Sequence, residues 1–291
     1  MDRAQQLSEF LKTRRARMRP EDVGVGNFGG QRRVPGLRRE ELALLAGVSV
    51  DYYTRLEQGR ARNASPDILD AVASALRLDG DECTHLHNLA KPTSTRRRPS
   101  RPQQVGPEMR QALQAIATIP AYIIGRRLDI LAWNDLARSL IADFPALPEA
   151  ERNMARLVFL DDAAKDLYPD WESKARDTVS NLRLDAGRHP DDPQLATLVG
   201  ELSLASPDFR RLWADHNVRG KTRGRKRFNH PQLGELALDY VAMRAPDDPD
   251  MTMMIYSAPV GSEAVTVLQF LASLTTPPVS DSADLPTEST L

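Results

Sequence analysis

The residues best suited to chemistry on a partner molecule lie close together in one short segment, between Arg38 and Gly59. Tyr53 and Leu56 recur there at helical spacing, which predicts a short helix with an apolar inner face. The outer face then carries polar, charged and small apolar groups, namely Val50, Asp51, Tyr52, Thr54 and Arg55. Arginine and aspartate exposed on a helix can hydrogen-bond the edges of bases in a DNA groove.

A second helix and a tight turn must position this face. Ala43 is small enough for two helices to approach closely, and Gly47 permits the positive φ that ends the first helix. Val48 fills the angle between the helices, and Ser49 is a suitable cap for the second. The side chains expected to face the core are Leu42, Leu45, Tyr53 and Leu56. This arrangement is typical of a helix-turn-helix; the alternative is an ordinary helical bundle with a merely solvated polar face.

Three further helices complete a predicted all-α N-terminal bundle of five helices. They cover residues 2–18, a segment that begins at the cap-and-proline pair Ser65–Pro66, and about 80–90. A glycine- and proline-rich loop spans 19–36. Glu40, Glu41 and Glu57 are interpreted as structural, because acidic groups favour helix starts and pair with nearby arginine.

Charge is distributed unevenly along a chain of 291 residues whose formal net charge is −1. Residues 1–62 contain 13 Lys and Arg against 8 Asp and Glu, a net charge of +5, so the rest must carry −6. A basic N-terminal part fits a polyanionic partner. The single cysteine, Cys83, fits a reducing compartment, and neither a membrane span nor a signal peptide is recognisable. We therefore expect a cytoplasmic, nucleoid-associated protein with no membrane partner.

Residues 92–106 are rich in Pro, Ser, Thr and Arg and lack an apolar period, which predicts a linker between domains 1–91 and 107–274. An ordered basic loop is the alternative. Beyond it, strands are predicted at 121–125, 129–133, 225–230, 235–243 and 251–259, with helices between the second and third strands. A closing helix follows Ser262, and 275–291 is predicted to be disordered. The pattern favours an α+β domain with a roughly five-stranded antiparallel sheet.

The N-terminal segment VPGLRREELALLAGVSVDYYTRLEQGR resembles the XRE family of bacterial and phage repressors. The shared positions are Leu42–Ala43, Gly47–Val48–Ser49 and Glu57–Gln58–Gly59, and the wider text is similar to the MmyB-like regulators. The resemblance implies sequence-specific binding of double-stranded DNA.

By this resemblance Val50, Asp51 and Arg55 occupy base-facing positions, with Tyr52 and Thr54 beside them. Arg55 is the best candidate for guanine, and Val50 could touch a thymine methyl. Asp51 could accept from cytosine N4 or could instead cap the helix. Phosphate contacts are expected from Arg39 and Ser49. Arg32 and Arg33 could reach the DNA backbone or minor groove, or could simply be solvated.

The C-terminal half resembles the MmyB-like ligand-binding domain through PAYIIGRRLDILAWN (120–134), DWESKARDTVSNLR (170–183) and FNHPQLGELALDY (228–240), among other segments. The resemblance implies a PAS-like fold that holds a small apolar or fatty-acyl-like ligand. Candidate ligand contacts are Trp133, Asn134, Asn153, Arg156, Phe159, Trp171, Trp213, Phe228 and His230. For each aromatic side chain, core packing is the alternative and the commoner role. Arg156 could pair with a ligand carboxylate or with an internal acid such as Asp161.

Three functions remain open at this point. The first is a homodimeric regulator that binds a palindromic operator and responds to its ligand. The second is a dimeric repressor whose C-terminal domain only dimerises, and the third is an enzyme that retains a vestigial DNA-binding domain. No hydrolase, metalloprotease or P-loop motif is present, so no enzyme activity and no cofactor are expected. Cys83, His85 and His87 do not all share one helix face, so no metal is expected, and both histidines are interpreted as surface residues.

Overall fold

The computed structural model describes residues 3–23, 36–61, 64–91, 102–218, 220–245 and 247–275. The N-terminal part contains five α-helices, as predicted, and Ser49, Ser65 and Asp79 cap the third, fourth and fifth of them. The helices are α1 (Arg3–Arg17), α2 (Arg39–Leu45), α3 (Val50–Glu57), α4 (Pro66–Ala75) and α5 (Gly80–Ala90).

The core of this bundle forms where α1, α2 and α3 meet. Phe10, Leu42 and Leu56 are fully buried in it, as the helical spacing predicts. The prediction that Leu45 faces the core is wrong, because its side chain is 38% exposed. α2 is only seven residues long, and it turns Ala46 inward in place of Leu45.

The C-terminal part contains the predicted five-stranded antiparallel sheet. Its strands are β1 (Ala121–Ile124), β2 (Ile130–Trp133), β3 (Arg223–His230), β4 (Gly234–Arg244) and β5 (Thr252–Ser257). They are arranged in the order β2-β1-β5-β4-β3, so the two segments of the sheet that are distant in sequence join where β1 pairs with β5. Tyr240 pairs with Tyr256 in the register of β4 and β5, which places two aromatic rings side by side.

Helices pack on both faces of the sheet. The helices are α6 (Pro107–Ala115), α7 (Asp135–Ile141), α8 (Met154–Leu160), α9 (Ala163–Leu167), α10 (Trp171–Arg188), α11 (Pro193–Ala205), α12 (Pro207–Ala214) and α13 (Glu263–Thr275). Most of them bury their apolar sides with one face of the sheet in a single large core, while α6 covers part of the other face. Within the described ranges, none of these helices combines the length and apolarity that a membrane crossing requires.

The long helix α10 also contacts the N-terminal bundle. Leu184 of α10 and Val218, which follows α12, are buried among the apolar side chains of that bundle. Polar contacts surround them: Arg14 of α1 donates to the carbonyl of His216 at 2.8 Å, and Arg14 pairs with Glu82 of α5 at 2.9 Å. The two parts of the chain therefore share a packed interface.

Candidate functional site

The turn between α2 and α3 has the local geometry that a helix-turn-helix requires. Gly47 adopts a φ of +65°, and the amide of Val48 donates to the carbonyl of Ala43 at 3.0 Å. The hydroxyl of Ser49 accepts from the amide of Tyr52 at 3.1 Å, which caps α3. A left-handed glycine followed by a capped helix start fixes the angle between the two helices.

The outer face of α3 is open to solvent. Asp51 is 82% and Arg55 is 55% exposed at the side chain, and the two approach each other at 3.8 Å. Val50 is exposed beside them, whereas Tyr52 and Thr54 are half-buried. Ser49 holds the capping position, so the helix-cap reading of Asp51 does not describe this structure. An exposed surface ion pair of this kind contributes little to stability, so both side chains are available to a partner.

A buried carboxylate connects the two helices of the motif to α1. Glu57 is fully buried and accepts from Nε of Arg15 and Nε of Arg39, each at 2.7 Å, and from the Tyr53 hydroxyl at 3.1 Å. Burial alone would raise the pKa of Glu57, but the hydrogen bonds from Arg15 and Arg39 outweigh it and hold the pKa below its ordinary value. The predicted structural role of Glu57 is confirmed.

The expected phosphate-binding side chains lie at the edges of the motif. Arg39 at the start of α2 is 41% exposed although its Nε pairs with Glu57, and Ser49 is exposed at the start of α3. Both side chains are therefore accessible to solvent. Arg32 and Arg33 lie outside the described residues.

The candidate ligand residues fall into separate groups and do not line one pocket. Trp133, Asn153 and Arg156 border an open groove of about 880 Å³ between β2, α8 and α11. Asn153 caps α8 and donates to the carbonyl of Arg127 at 2.8 Å. Arg156 forms a two-pronged ion pair with Glu201, with Nη2 at 2.6 Å from Oε2, so its partner is Glu201 rather than Asp161.

A second group is a row of aromatic rings within the helical layer. Phe159 lies between Trp171 and Phe209, with ring centroids 5.8 and 5.1 Å apart, and Phe209 stacks on Trp213 at 5.6 Å. The indole nitrogen of Trp171 donates to the Val158 carbonyl at 3.0 Å. These contacts are those of core packing.

The remaining candidates lie near the sheet. Asn134 caps α7, and its Nδ2 donates to the carbonyls of Ile116 and Ile119. All polar atoms of its side chain therefore have partners within the protein. Phe228 is fully buried against Tyr168 and Tyr256. His230 borders an open cleft of about 830 Å³ next to α7. Its Nε2 donates to the carbonyl of Ser139 at 2.9 Å, and its Nδ1 accepts from the amide of Gln232 at 3.2 Å.

Sequence reasoning missed a polar cavity between α10 and the sheet. This space of about 130 Å³ is bordered by Lys174 and Thr178 of α10, by Tyr122 of β1 and by Tyr240 and Tyr256 of β4 and β5. The signal was present in the sequence, because Lys174 and Thr178 are four residues apart on the face of α10 that also carries Ala175 and Leu182.

Two clusters of side chains have the ligand types that metals prefer. Asp70, Cys83 and His87 bring their donor atoms within 4.8 Å of one another, as do Asp185, His189 and Asp250. His87 lies 2.8 Å from Asp70 and is partly exposed.

The interpretation of His85 as a surface residue is wrong. Its side chain is buried against the ring of Phe10, at a centroid distance of 5.1 Å, and against Gly187 of α10. It therefore lies inside the interface between the two parts of the chain.

Comparison with protein families matches these two parts separately. A helix-turn-helix domain family matches residues 6–86, which contain most of α1, all of α2 to α4 and most of α5. The ligand-binding domain of MmyB-like transcription regulators matches residues 105–271, more than half of the chain. The chain belongs to the MmyB-like transcription regulators. A search among curated proteins returned no match.

As an MmyB-like regulator, the protein binds DNA through its helix-turn-helix and regulates transcription. Its two matched regions correspond to the bundle of α1–α5 and to the α+β part from α6 to α13. Neither family is an enzyme family.

Proposed function

We propose that this MmyB-like regulator is a one-component sensor, in which a ligand bound by the C-terminal domain changes the affinity of the helix-turn-helix for its operator. In this proposal residues 1–91 bind DNA, and residues 107–274 bind ligand and dimerise. Most of the predicted linker 92–106 and nearly all of the predicted tail 275–291 lie outside the described residues. The protein carries out no catalysis and needs no cofactor, and it acts in the cytoplasm.

One observation carries the proposal: residues that border the cavity also contact the DNA-binding bundle. Leu184 of α10 borders the cavity and is also buried in the core of the bundle. Gly220 borders the cavity too, and its amide donates to Asp81 of α5 at 2.7 Å. A ligand that shifts α10 therefore shifts the contacts of α5, and the coupling is reciprocal, so DNA also changes the affinity for ligand.

DNA reading is assigned to the exposed face of α3. Arg55 bonds guanine in the major groove, Asp51 accepts from cytosine N4 and Val50 contacts a thymine methyl. Tyr52 and Thr54 border this face, while Arg39 and Ser49 hold phosphates and Arg32 and Arg33 reach the backbone. The exposure of Asp51 and Arg55 supports these roles.

Dimerisation is assigned to the face of the sheet that α6 leaves uncovered. Val241 and Met243 of β4 are exposed there, next to the apolar side chains that α6 covers. An apolar sheet face continuous with a packed core is suited to a second copy of the chain. The dimer would present two recognition helices about 34 Å apart to a palindromic operator.

The ligand is proposed to be small and apolar or fatty-acyl-like. The aromatic side chains of Trp133, Phe159, Trp171, Trp213 and Phe228 contribute apolar surface to the domain that would hold it. Its polar candidates Asn134, Asn153, Arg156 and His230 all have partners within the protein. The hydrogen bonds of these four side chains therefore favour a structural role over direct contact with the ligand.

The test starts from the purified full-length protein. The DNA it retains is sequenced to define the operator, and small molecules are extracted from it for mass spectrometry. Operator binding is then followed by fluorescence anisotropy with and without the extracted molecule. A shift in operator affinity of fivefold or more is expected. Tight operator binding by a protein that retains no small molecule and responds to none would favour the second candidate, a ligand-independent dimeric repressor.

A further inference from the structure

The cavity between α10 and the sheet contains a buried lysine whose ammonium group has no acidic partner. The Lys174 side chain is 7% exposed. Among the described residues its Nζ forms no ion pair and no hydrogen bond, and it lies over the Tyr168 ring, 5.1 Å from the centroid. Burying an ammonium group costs free energy unless a negative charge pairs with it. In the protein without ligand, Lys174 has no such negative partner within the described ranges.

The acidic side chains that border the cavity already have other partners. Asp185 accepts from the amide of Arg127 at 2.8 Å, and Asp250 pairs with His189 at 2.8 Å. Asp177, one turn along α10, accepts from Lys226 of β3 at 2.8 Å and pairs with Lys221 at 2.9 Å. The Tyr168 hydroxyl is buried and also has no partner among the described residues. Tyr240 of β4 also borders the cavity. Lys174 and Tyr168 both border a second hollow beside the cavity, and neither side chain has a hydrogen-bond partner among the described residues.

Burial and the charge of Lys226 lower the pKa of Lys174 to about 7, against the smaller opposing effect of Asp177. The free protein therefore carries this amine largely neutral above pH 7. An acidic ligand would supply the missing negative charge and would favour the ammonium form.

We propose that Lys174 is the anchor for the carboxylate of a compact monocarboxylic acid, which binds with proton uptake at Lys174. This inference rests on the proposed ligand-sensing function and names the chemistry of its ligand. The cavity of about 130 Å³ adjoins the second hollow, of about 240 Å³, and the two share Lys174, Asp177 and Tyr240. Together they limit the ligand to a compact acid.

The experiment compares benzoate with benzamide, which have nearly the same shape and differ in charge. Binding to the full-length protein is measured by isothermal titration calorimetry and by the shift in Tm. A charged hydrogen bond contributes about 1.5–3 kcal/mol, so benzoate should bind roughly 10- to 100-fold more tightly than benzamide. Titrations at pH 8 in phosphate and in Tris should reveal uptake of about one proton, and none below pH 6.

Lys174→Met is the decisive variant, and Lys165→Met is its matched control. Lys165 also lies over an aromatic ring, Trp171, at 5.5 Å, but it is exposed and borders no part of the cavity. The preference for benzoate should vanish in Lys174→Met and persist in Lys165→Met, with circular dichroism confirming that both fold. Equal binding of the two probes to the wild type, failure of both to bind, or a preference that survives Lys174→Met would each overturn the proposal.

Operator affinity measured in the same samples separates this inference from the proposed function. Benzoate that binds through Lys174 but leaves operator affinity unchanged would support the anchor and contradict ligand sensing. Operator affinity that responds equally to benzoate and benzamide would support ligand sensing and contradict the anchor.

Discussion

The guanidinium of Arg39 donates through Nε to the buried carboxylate of Glu57 at 2.7 Å and so ties the first helix of the helix-turn-helix to the second. Arg15 reaches the same carboxylate from α1. One acidic side chain therefore holds three helices in the orientation that presents Arg55 to solvent.

Glu57→Gln should lower the free energy of unfolding by about 3 kcal/mol, because it leaves the partly buried Arg15 without its counterion. Urea unfolding monitored by circular dichroism measures the loss. The matched control is Glu40→Gln, since Glu40 is exposed in the same motif and should change stability by less than about 0.5 kcal/mol. Since the pKa of Glu57 is lowered on folding, its contribution is present above the ordinary glutamate pKa and is lost as the pH falls through the folded value. Equal losses in the two variants would contradict this role of Glu57.

Arg55→Ala should abolish discrimination at one base pair of the operator, at a cost of about 1–3 kcal/mol. Competition binding against operators with single base changes measures this loss. Arg110→Ala is the control, because Arg110 is exposed on α6, away from the motif. Unchanged discrimination in Arg55→Ala would show that α3 reads the groove in another register.

Arg39→Ala should weaken binding to every DNA sequence alike and reduce the slope of log affinity against log salt by about 1. Anisotropy titrations at several salt concentrations give this slope. A loss confined to the specific operator would mean that Arg39 contacts a base and not a phosphate.

Gly187→Ala should disrupt the interface between α10 and α5. A Cβ at this position would lie 2.3 Å from Nδ1 of His85, so a buried ring must move, at a cost of about 1–3 kcal/mol. Gly200→Ala is the matched control, because Gly200 also lies in a helix and its Cβ would meet nothing within 4 Å. That control should gain up to about 1 kcal/mol from helix propensity. Thermal unfolding distinguishes the two, and a gain in both would show that the His85 contact is adaptable.

Acid should weaken the same interface through its two buried histidines. Burial, together with the positive charges of Arg183 and Arg14, lowers the pKa of His85 and of His216 to about 3. The folded protein thus binds fewer protons than the unfolded chain between pH 3 and 6.5, and stability falls as the pH drops through that range. Each histidine should cost about 1–2 kcal/mol between pH 7 and 5. His216→Gln should remove about half of this slope in urea unfolding, and an unchanged slope would exclude His216.

Lys174→Met should make the free protein more stable, because it replaces a buried amine that folding desolvates. The pKa of Lys174 falls on folding, so its cost is greatest below pH 7 and disappears as the pH rises past the ordinary lysine value. Each pKa unit corresponds to about 1.4 kcal/mol, so the gain at pH 6 should be a few kcal/mol. Unfolding at pH 6, 8 and 10 should show the advantage shrinking step by step. A constant advantage would indicate a packing effect.

Local chemistry determined most of the architecture. Gly47, Ser49, Ser65 and Asn134 act through backbone dihedrals and hydrogen bonds to amides two or three residues away, so helix starts and the helix-turn-helix are predictable from the sequence. The strand-like segments likewise predicted all five strands, and their order with the helices between them predicted the α+β arrangement.

Tertiary packing alone decided which side chains meet across the sequence. Arg156 pairs with Glu201, 45 positions away, and Leu45 points to solvent because of how a short α2 crosses its neighbours. The helices that cover the sheet also decide where the candidate ligand residues lie, and they place them in separate groups. The same packing buries Lys174 between α10 and the sheet. Such contacts depend on how elements that are distant in sequence pack together. The spacing of residues along the sequence does not specify that packing.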